Sequence, residues 1–177
     1  MTYIALLRGI NVGGNKKVPM ADLKKAFEAL NFTNVKTLLN SGNVFFSSNE
    51  TNVSKVTSSI SNQLESKFGW TIPVIVRPQE EIKQLVDKNP FKDITITPET
   101  RLYVTFALDL SKSNLLIPYE SEEKDFRILL VSNHEICSTL ILSPQRGTVD
   151  LMSFIEKHFG KDVTTRNWNT IIKLAAL

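Results

Sequence analysis

Cysteine and histidine are scarce in this chain. Among its 177 residues there are one cysteine, Cys137, and two histidines, His134 and His158. A single cysteine excludes an intramolecular disulfide, so the sequence predicts a protein of the reducing cytoplasm. Cys137 lies in a strand-like run, where we expect a small apolar core residue. The histidines belong to no recognisable zinc motif, and we predict no cofactor.

Long apolar runs and strong charge are also missing. No stretch approaches the roughly 20 apolar residues of a membrane-spanning helix, and residues 1–8 lack the basic flank and cleavage site of a signal peptide. With 21 basic and 18 acidic residues, the net charge is only +3. Dedicated nucleic-acid binders usually carry denser basic clusters. The sequence therefore predicts a soluble protein without a membrane partner, whose charge permits an anionic ligand but does not require one.

The glycines that are present concentrate near the N-terminus. Three of the seven glycines fall in the segment Leu6-Leu7-Arg8-Gly9-Ile10-Asn11-Val12-Gly13-Gly14-Asn15. The dinucleotide fingerprint G-x-G-x-x-G fails, because Asn11 stands at its second glycine. The P-loop pattern fails as well, because Asn15 and Lys16 occupy its lysine and Ser/Thr positions. What remains is a small-residue turn between a strand and a helix, where backbone N–H groups, a helix dipole and Arg8 favour anions.

Hydrophobic periodicity predicts an α+β fold. The first part alternates strands and amphipathic helices in the order β-α-β-β-α-β, which is the split βαβ or ferredoxin-like unit. Its predicted strands are residues 3–7, 35–39, 44–46 and 72–76, with helices opening at Val18-Pro19 and after Asn52. The second part is looser. We predict helices over 78–88 and 149–159, strands over 102–108, 126–131 and 136–142, a polar connection over 111–123, and a last helix opened by residues 164–170.

The predicted architecture is two ferredoxin-like halves with a C-terminal helix. Residues 1–77 form the N-terminal half, and residues 78–177 form a degenerate second half plus the terminal helix. A threonine is the expected N-cap of that helix. Trp168, Ile171, Ile172 and Ala175 are expected on one side of it.

Three polar motifs are candidate binding segments. The first motif contains Arg8, Asn11, Gly13 and Gly14. The second is the turn with Ser41 and Asn43, and the third contains Arg166, Asn167 and Trp168. In the split βαβ arrangement, strands one and three are antiparallel neighbours, so the first two motifs should lie close together. Each motif also has an ordinary structural reading: a tight glycine loop, a hairpin turn, and a tryptophan that anchors the last helix.

The same motifs carry a family resemblance. The segments from Tyr3 to Gly14, from Ser41 to Val44 and from Thr165 to Thr170 resemble the hallmark segments of a bacterial family known only as a domain of unknown function. The resemblance extends over nearly the whole chain. It implies an α+β fold made of two ferredoxin-like parts. It implies no activity, cofactor or catalytic residue.

Three kinds of function are compatible with these features. A binding module for a phosphate-bearing or carboxylate-bearing ligand, such as a nucleotide or a nucleic acid, fits best, because the motif residues are cationic or neutral. An enzyme that stabilises an oxyanion with arginine and amides is the first alternative, although no general base is apparent near the motifs. The second alternative is a structural protein that self-associates through a sheet edge.

Overall fold

The structure is a computed structural model that describes residues 1–14, 16–110, 115–143 and 149–177. Asn15 of the glycine-rich turn and residues 111–114 of the predicted polar connection lie outside the described residues. The chain divides into two compact units. Unit 1 contains Met1–Gln84 and Lys173–Leu177, and unit 2 contains Leu85–Ile172.

Unit 1 is a four-stranded antiparallel sheet with two helices on one face. Its elements are β1 Thr2–Leu7, α1 Met20–Glu28, β2 Thr33–Leu38, β3 Asn43–Ser47, α2 Val53–Phe68 and β4 Val74–Pro78, and α3 Gln79–Lys88 follows. The strand order is β2-β3-β1-β4. The predicted β-α-β-β-α-β unit is therefore confirmed.

Both faces of β1 are buried, which explains its unbroken apolar sequence. Tyr3, Ala5 and Leu7 belong to the core that contains the buried residues of α1 and α2, whereas Ile4 and Leu6, on the opposite face, are fully buried as well. Capping residues define both ends of α2. The Asn52 side chain accepts a hydrogen bond from the Lys55 N–H at 3.1 Å, and Gly69 ends the helix at a φ of 81°.

Unit 2 repeats the strand arrangement, and in its described residues a helix is seen between the third and fourth of these strands but not between the first two. Its elements are β5 Thr100–Ala107, β6 Tyr119–Glu120, β7 Phe126–Val131, β8 Glu135–Ile141, α4 Val149–Phe159 and β9 Val163–Asn167, and α5 Trp168–Ala175 follows. The sheet order is β6-β7-β8-β5-β9. Strands β7, β8, β5 and β9 therefore stand in the order that β2, β3, β1 and β4 take in unit 1. Among the described residues between β5 and β7, the short strand β6 is the only regular element, and the predicted α+β fold with a degenerate second half is confirmed.

The prediction for residues 164–170 was wrong in detail. Val163–Asn167 form β9, which pairs antiparallel with β5 and brings Asn167 opposite Tyr103. The helix begins at Trp168, and its cap is asparagine, not threonine: Oδ1 of Asn167 accepts from the Thr170 N–H at 2.9 Å. Ile172 is 41 % exposed instead of facing the core. A β-branched run of Val163, Thr164 and Thr165 extends as a strand once β5 offers an edge to pair with.

Within the described residues, no helix has both the length and the apolar composition needed to cross a bilayer.

Candidate functional site

The glycine-rich turn follows the end of β1 within unit 1. Its start is fixed on both sides, because the Leu7 N–H donates to the Gly42 carbonyl at 2.8 Å and the Arg8 N–H donates to the Pro73 carbonyl at 2.9 Å. Arg8 itself is half-buried. The turn is therefore attached to the segments that lead into β3 and β4, the two strands that flank β1.

Asn11 holds this turn in shape. Its backbone has a φ of 56°, a conformation that asparagine tolerates better than most residues. The side-chain Nδ2 donates to the carbonyls of Val18 at 3.0 Å and Asn40 at 2.9 Å, and Oδ1 accepts from the Val18 N–H at 2.8 Å. Both amide hydrogens are thus used within the protein. Asn11 closes its own loop and ties it to the neighbouring turn.

The second motif closes in a similar way. Asn43 is fully buried, and its Nδ2 donates to the Leu38 carbonyl and to Oγ of Ser41, both at 2.9 Å. Ser41 is exposed. The bonds from Leu7 to Gly42 and from Asn11 to Asn40 hold the first two motifs side by side, as the antiparallel pairing of β1 and β3 requires.

Glycine is indispensable at one position between these turns. Gly42 has a φ of 74°, and a Cβ atom there would lie 2.7 Å from Cβ of Leu7 and 2.9 Å from Cδ1 of Ile10. Gly13 and Gly14 also have positive φ angles, but a Cβ atom on either would meet nothing within 4 Å. Gly42 therefore permits the close contact between the two turns, whereas Gly13 and Gly14 form an exposed, open bend.

A shallow cleft of about 400 Å³ lies between this bend and the start of α1. It is lined by Asn11, Gly14, Lys17, Val18, Pro19, Met20 and Asn40. The N-cap residue of α1 is Pro19, and it makes no side-chain capping bond. Lys16 and Lys17 are exposed, and Asp22 in the first turn of α1 is the first acidic residue of the chain. The cleft thus combines one lining cation, Lys17, with an uncapped helix N-terminus, which carries a partial positive charge.

The third motif lies in unit 2, and its arginine is buried. Arg166 is only 9 % exposed, and its Nη1 donates to Oγ1 of Thr164 at 2.8 Å and to the Thr165 carbonyl at 2.9 Å. Burial lowers the pKa of the guanidinium to about 10. Arg166 is a residue of the buried face of the sheet, not an exposed fork at a helix start.

The rest of the third motif faces a cleft of about 640 Å³. Trp168 packs edge-on against Phe91, with ring centroids 5.0 Å apart. The cleft is lined by Asn89, Phe91, Lys92, Ile94, Ile96, Thr100, Arg101, Leu102, Asn167, Trp168 and Asn169. The sequence predicted Asn167 and Trp168 but missed Lys92 and Arg101, because nothing local connects them with the distant motif. The one local feature that could have pointed to this cleft was the position of Arg101 at the beginning of a strand.

The two histidines and the cysteine, the residue types that most often carry catalysis, all contact other parts of the fold. In the β7–β8 hairpin, the His134 ring nitrogen Nδ1 lies 2.9 Å from the carbonyl oxygen of Leu108, and the His158 ring packs at a tilt against Phe154. Cys137 is fully buried, as predicted, and burial, with a smaller contribution from Glu135, raises the pKa of its thiol to about 12. Among the described residues, no three His, Cys, Asp or Glu side chains form a group that fits a metal ion.

Comparison with known proteins provides a family and a fold. No curated protein matches the chain. A solved structure, that of the conserved bacterial protein SP0830 from Streptococcus pneumoniae, is 20 % identical with a TM-score of 0.69, and the match covers 99 % of this chain and 97 % of that one. This likeness concerns the fold alone. Residues 1–135 match the family described as protein of unknown function, DUF1697, and the chain therefore belongs to that family.

Proposed function

We propose that the protein is a binding module for an anionic ligand that carries a phosphate or carboxylate group, and that the ligand occupies the cleft in front of α1. The observation that carries this proposal is the composition of that cleft. Lys17, the open bend at Gly14 and the uncapped start of α1 line it together. Residues 1–21 contain Arg8, Lys16 and Lys17 but no acidic residue.

The residues of the first two motifs divide into two roles in this proposal. Gly13 and Gly14 form the bend whose backbone N–H groups we assign to the ligand, and Arg8 and Lys16, which lie outside the lining, add positive charge to the same turn. Asn11, Ser41 and Asn43 hold the two turns together through the bonds described above. The ligand site therefore depends on these asparagines for its shape more than for direct contacts.

The expected affinity is moderate. A helix N-terminus contributes about 0.3–1 kcal/mol to the binding of a negative charge at an exposed site, and an exposed lysine contributes a similar amount. Asp22 opposes binding, because its carboxylate already lies in the first turn of α1. Removal of that carboxylate should therefore strengthen the binding of an anion, although it removes a residue that suits a helix start.

The test is a calorimetric titration with inorganic phosphate, pyrophosphate, citrate and AMP. Lys17→Ala should weaken the binding of the best ligand about two- to fivefold, since 1.4 kcal/mol corresponds to a factor of ten. Asp22→Asn should tighten it. Lys25→Ala, an exposed lysine at the other end of α1, is the matched control and should change nothing. Equal affinities for the Lys17, Asp22 and Lys25 variants would exclude the cleft as the site.

The edge of the first sheet argues for binding over self-association. The edge strand β2 has a register shift between Thr33 and Lys36, and Asn34 within it has a φ of 54°. Bulges, positive φ angles and lysines on an edge strand interrupt the row of backbone groups that a second chain would need. This edge of unit 1 is therefore poorly suited to strand pairing between copies.

A further inference from the structure

We propose that unit 2 has a ligand site of its own, and that the cleft between residues 89–102 and residues 167–169 binds a single nucleotide. This site is separate from the cleft in front of α1 and goes beyond the anion binding proposed there. Its volume of about 640 Å³ falls within the range of about 300–1,000 Å³ that is typical of small-molecule pockets.

The floor of the cleft is apolar and buried. Phe91 and Trp168 are 4 % and 8 % exposed, and their rings meet at an interplanar angle of 67°. Ile96, which also lines the cleft, is 62 % exposed although its side chain is aliphatic. An exposed aliphatic side chain beside an aromatic floor offers a surface on which a planar base can lie.

Two cations of the cleft are available to a phosphate group. Lys92 is exposed, and Arg101 is half-buried with its Nη1 bound to the carbonyls of Pro98 at 2.7 Å and Thr100 at 2.9 Å. These two bonds hold the guanidinium in place but leave its other nitrogens without a partner among the described residues. No carboxylate of the described residues pairs with Lys92 or Arg101, and no aspartate or glutamate lines the cleft.

The side-chain amides of two asparagines in the cleft can act as hydrogen-bond donors to a ligand. Oδ1 of Asn167 accepts from the N–H and the hydroxyl of Thr170, and Oδ1 of Asn89 accepts from the Phe91 N–H. Each oxygen is thus used within its own turn, while each Nδ2 has no acceptor among the described residues. Together with the cations, these amides make the cleft rich in donors. A nucleotide matches it, because its base and its phosphate both present acceptors.

The two tryptophans allow a test that reports on this cleft alone. Trp168 lines the cleft, whereas Trp70 packs against Phe68 in unit 1. The Trp70 indole nitrogen is buried and has no hydrogen-bond partner among the described residues, so Trp70→Phe removes no bond within that part of the chain. In that variant, titration with AMP, GMP or UMP should quench the remaining Trp168 fluorescence. In Trp168→Phe, the fluorescence of Trp70 should not respond.

Two further variants test the phosphate contacts. In the Trp70→Phe background, Arg101→Ala should raise the Kd about tenfold and Lys92→Ala about two- to fivefold, whereas Lys161→Ala, an exposed lysine of unit 2 outside the cleft, should not raise it. Inorganic phosphate alone should bind more weakly than any nucleotide.

Three results would overturn the proposal. The first is no quenching at millimolar nucleotide by a variant whose circular dichroism shows that it is folded. The second is an affinity for phosphate equal to that for AMP, which would remove the role of the base. The third is binding of a single-stranded oligonucleotide without binding of any mononucleotide, which would assign the cleft to nucleic acid.

Discussion

Replacement of Gly42 by alanine tests how the two turns of unit 1 are joined. The φ of 74° places an alanine in the left-handed region, which costs about 1–2 kcal/mol. The new Cβ atom would also lie 2.7 Å from Cβ of Leu7, which is fixed in the central strand β1. Overpacking of this kind costs about 1–3 kcal/mol. The expected loss of unfolding free energy is therefore about 2–5 kcal/mol.

The matched control for this prediction is Gly69→Ala. Gly69 has a similar φ of 81°, but nothing lies within 4 Å of its added Cβ atom, so only the backbone term applies. For a protein of this size, 1 kcal/mol corresponds to a change of about 2–4 °C in Tm. At an overpacking cost of about 2 kcal/mol, Gly42→Ala should melt about 4–8 °C below Gly69→Ala in circular dichroism. If the two variants have the same Tm, the close contact of the turns does not constrain the fold.

Three further predictions concern stability. Asn11→Ala removes three hydrogen bonds to the backbone and should lower the free energy of unfolding by about 2–4 kcal/mol in urea titrations. A loss below 0.5 kcal/mol, roughly the least that one such bond contributes, would show that the fold does not depend on the Asn11 side chain. Asn52→Ala removes the cap of α2 and should cost about 1 kcal/mol, with Asn52→Ser expected to restore most of it. Burial raises the pKa of the Cys137 thiol from 9.0 to about 12, so between these pH values the folded protein keeps a proton that the unfolded chain loses. Stability should therefore fall as the pH rises through this range, by up to about 1.4 kcal/mol per pH unit relative to Cys137→Ala, and parallel pH profiles of the two proteins would contradict this.

The elements that the sequence predicted well are those whose signals are local. The stretches Phe126–Val131 and Val149–Phe159 were predicted at their observed bounds, because an apolar run and a helical stripe define them without reference to the rest of the chain. The hairpin that joins β7 to β8 is also indicated by its turn residues, and the Ser132 N–H donates to the Glu135 carbonyl at 2.8 Å, which closes the turn.

Strand β9 and the burial of Arg166 depend on distant residues. A segment of threonine, arginine and asparagine resembles a helix cap when it is read alone, and only its pairing with β5 makes it a strand. The same pairing places Arg166 on a buried face of the sheet. The candidate site shows the same limit. The motif residues Asn167 and Trp168 were visible in the sequence, but Lys92 and Arg101 reach their cleft only through the fold.

The two proposed sites lie at opposite ends of equivalent strands. In unit 1 the cleft follows the C-terminal end of β1, whereas in unit 2 it includes Thr100 and Arg101 at the N-terminal end of β5. Because β1 and β5 hold the same place in their sheets, a site copied along with the fold would lie at the same end of both strands. Each site is instead built from a different part of its unit, the turn after β1 and the start of α1 in unit 1 and the segment before β5 in unit 2.

Because the two proposed sites use different segments of the chain, we expect them to respond independently to mutation. Lys17→Ala should leave the nucleotide titration of Trp168 unchanged, and Arg101→Ala should leave the calorimetric titration with citrate unchanged. Effects of distant, independent sites usually add within about 0.5 kcal/mol, so the double variant should show each single loss without an extra term. A coupling well above that value would mean that one ligand uses both segments, and the description of two independent sites would then be wrong.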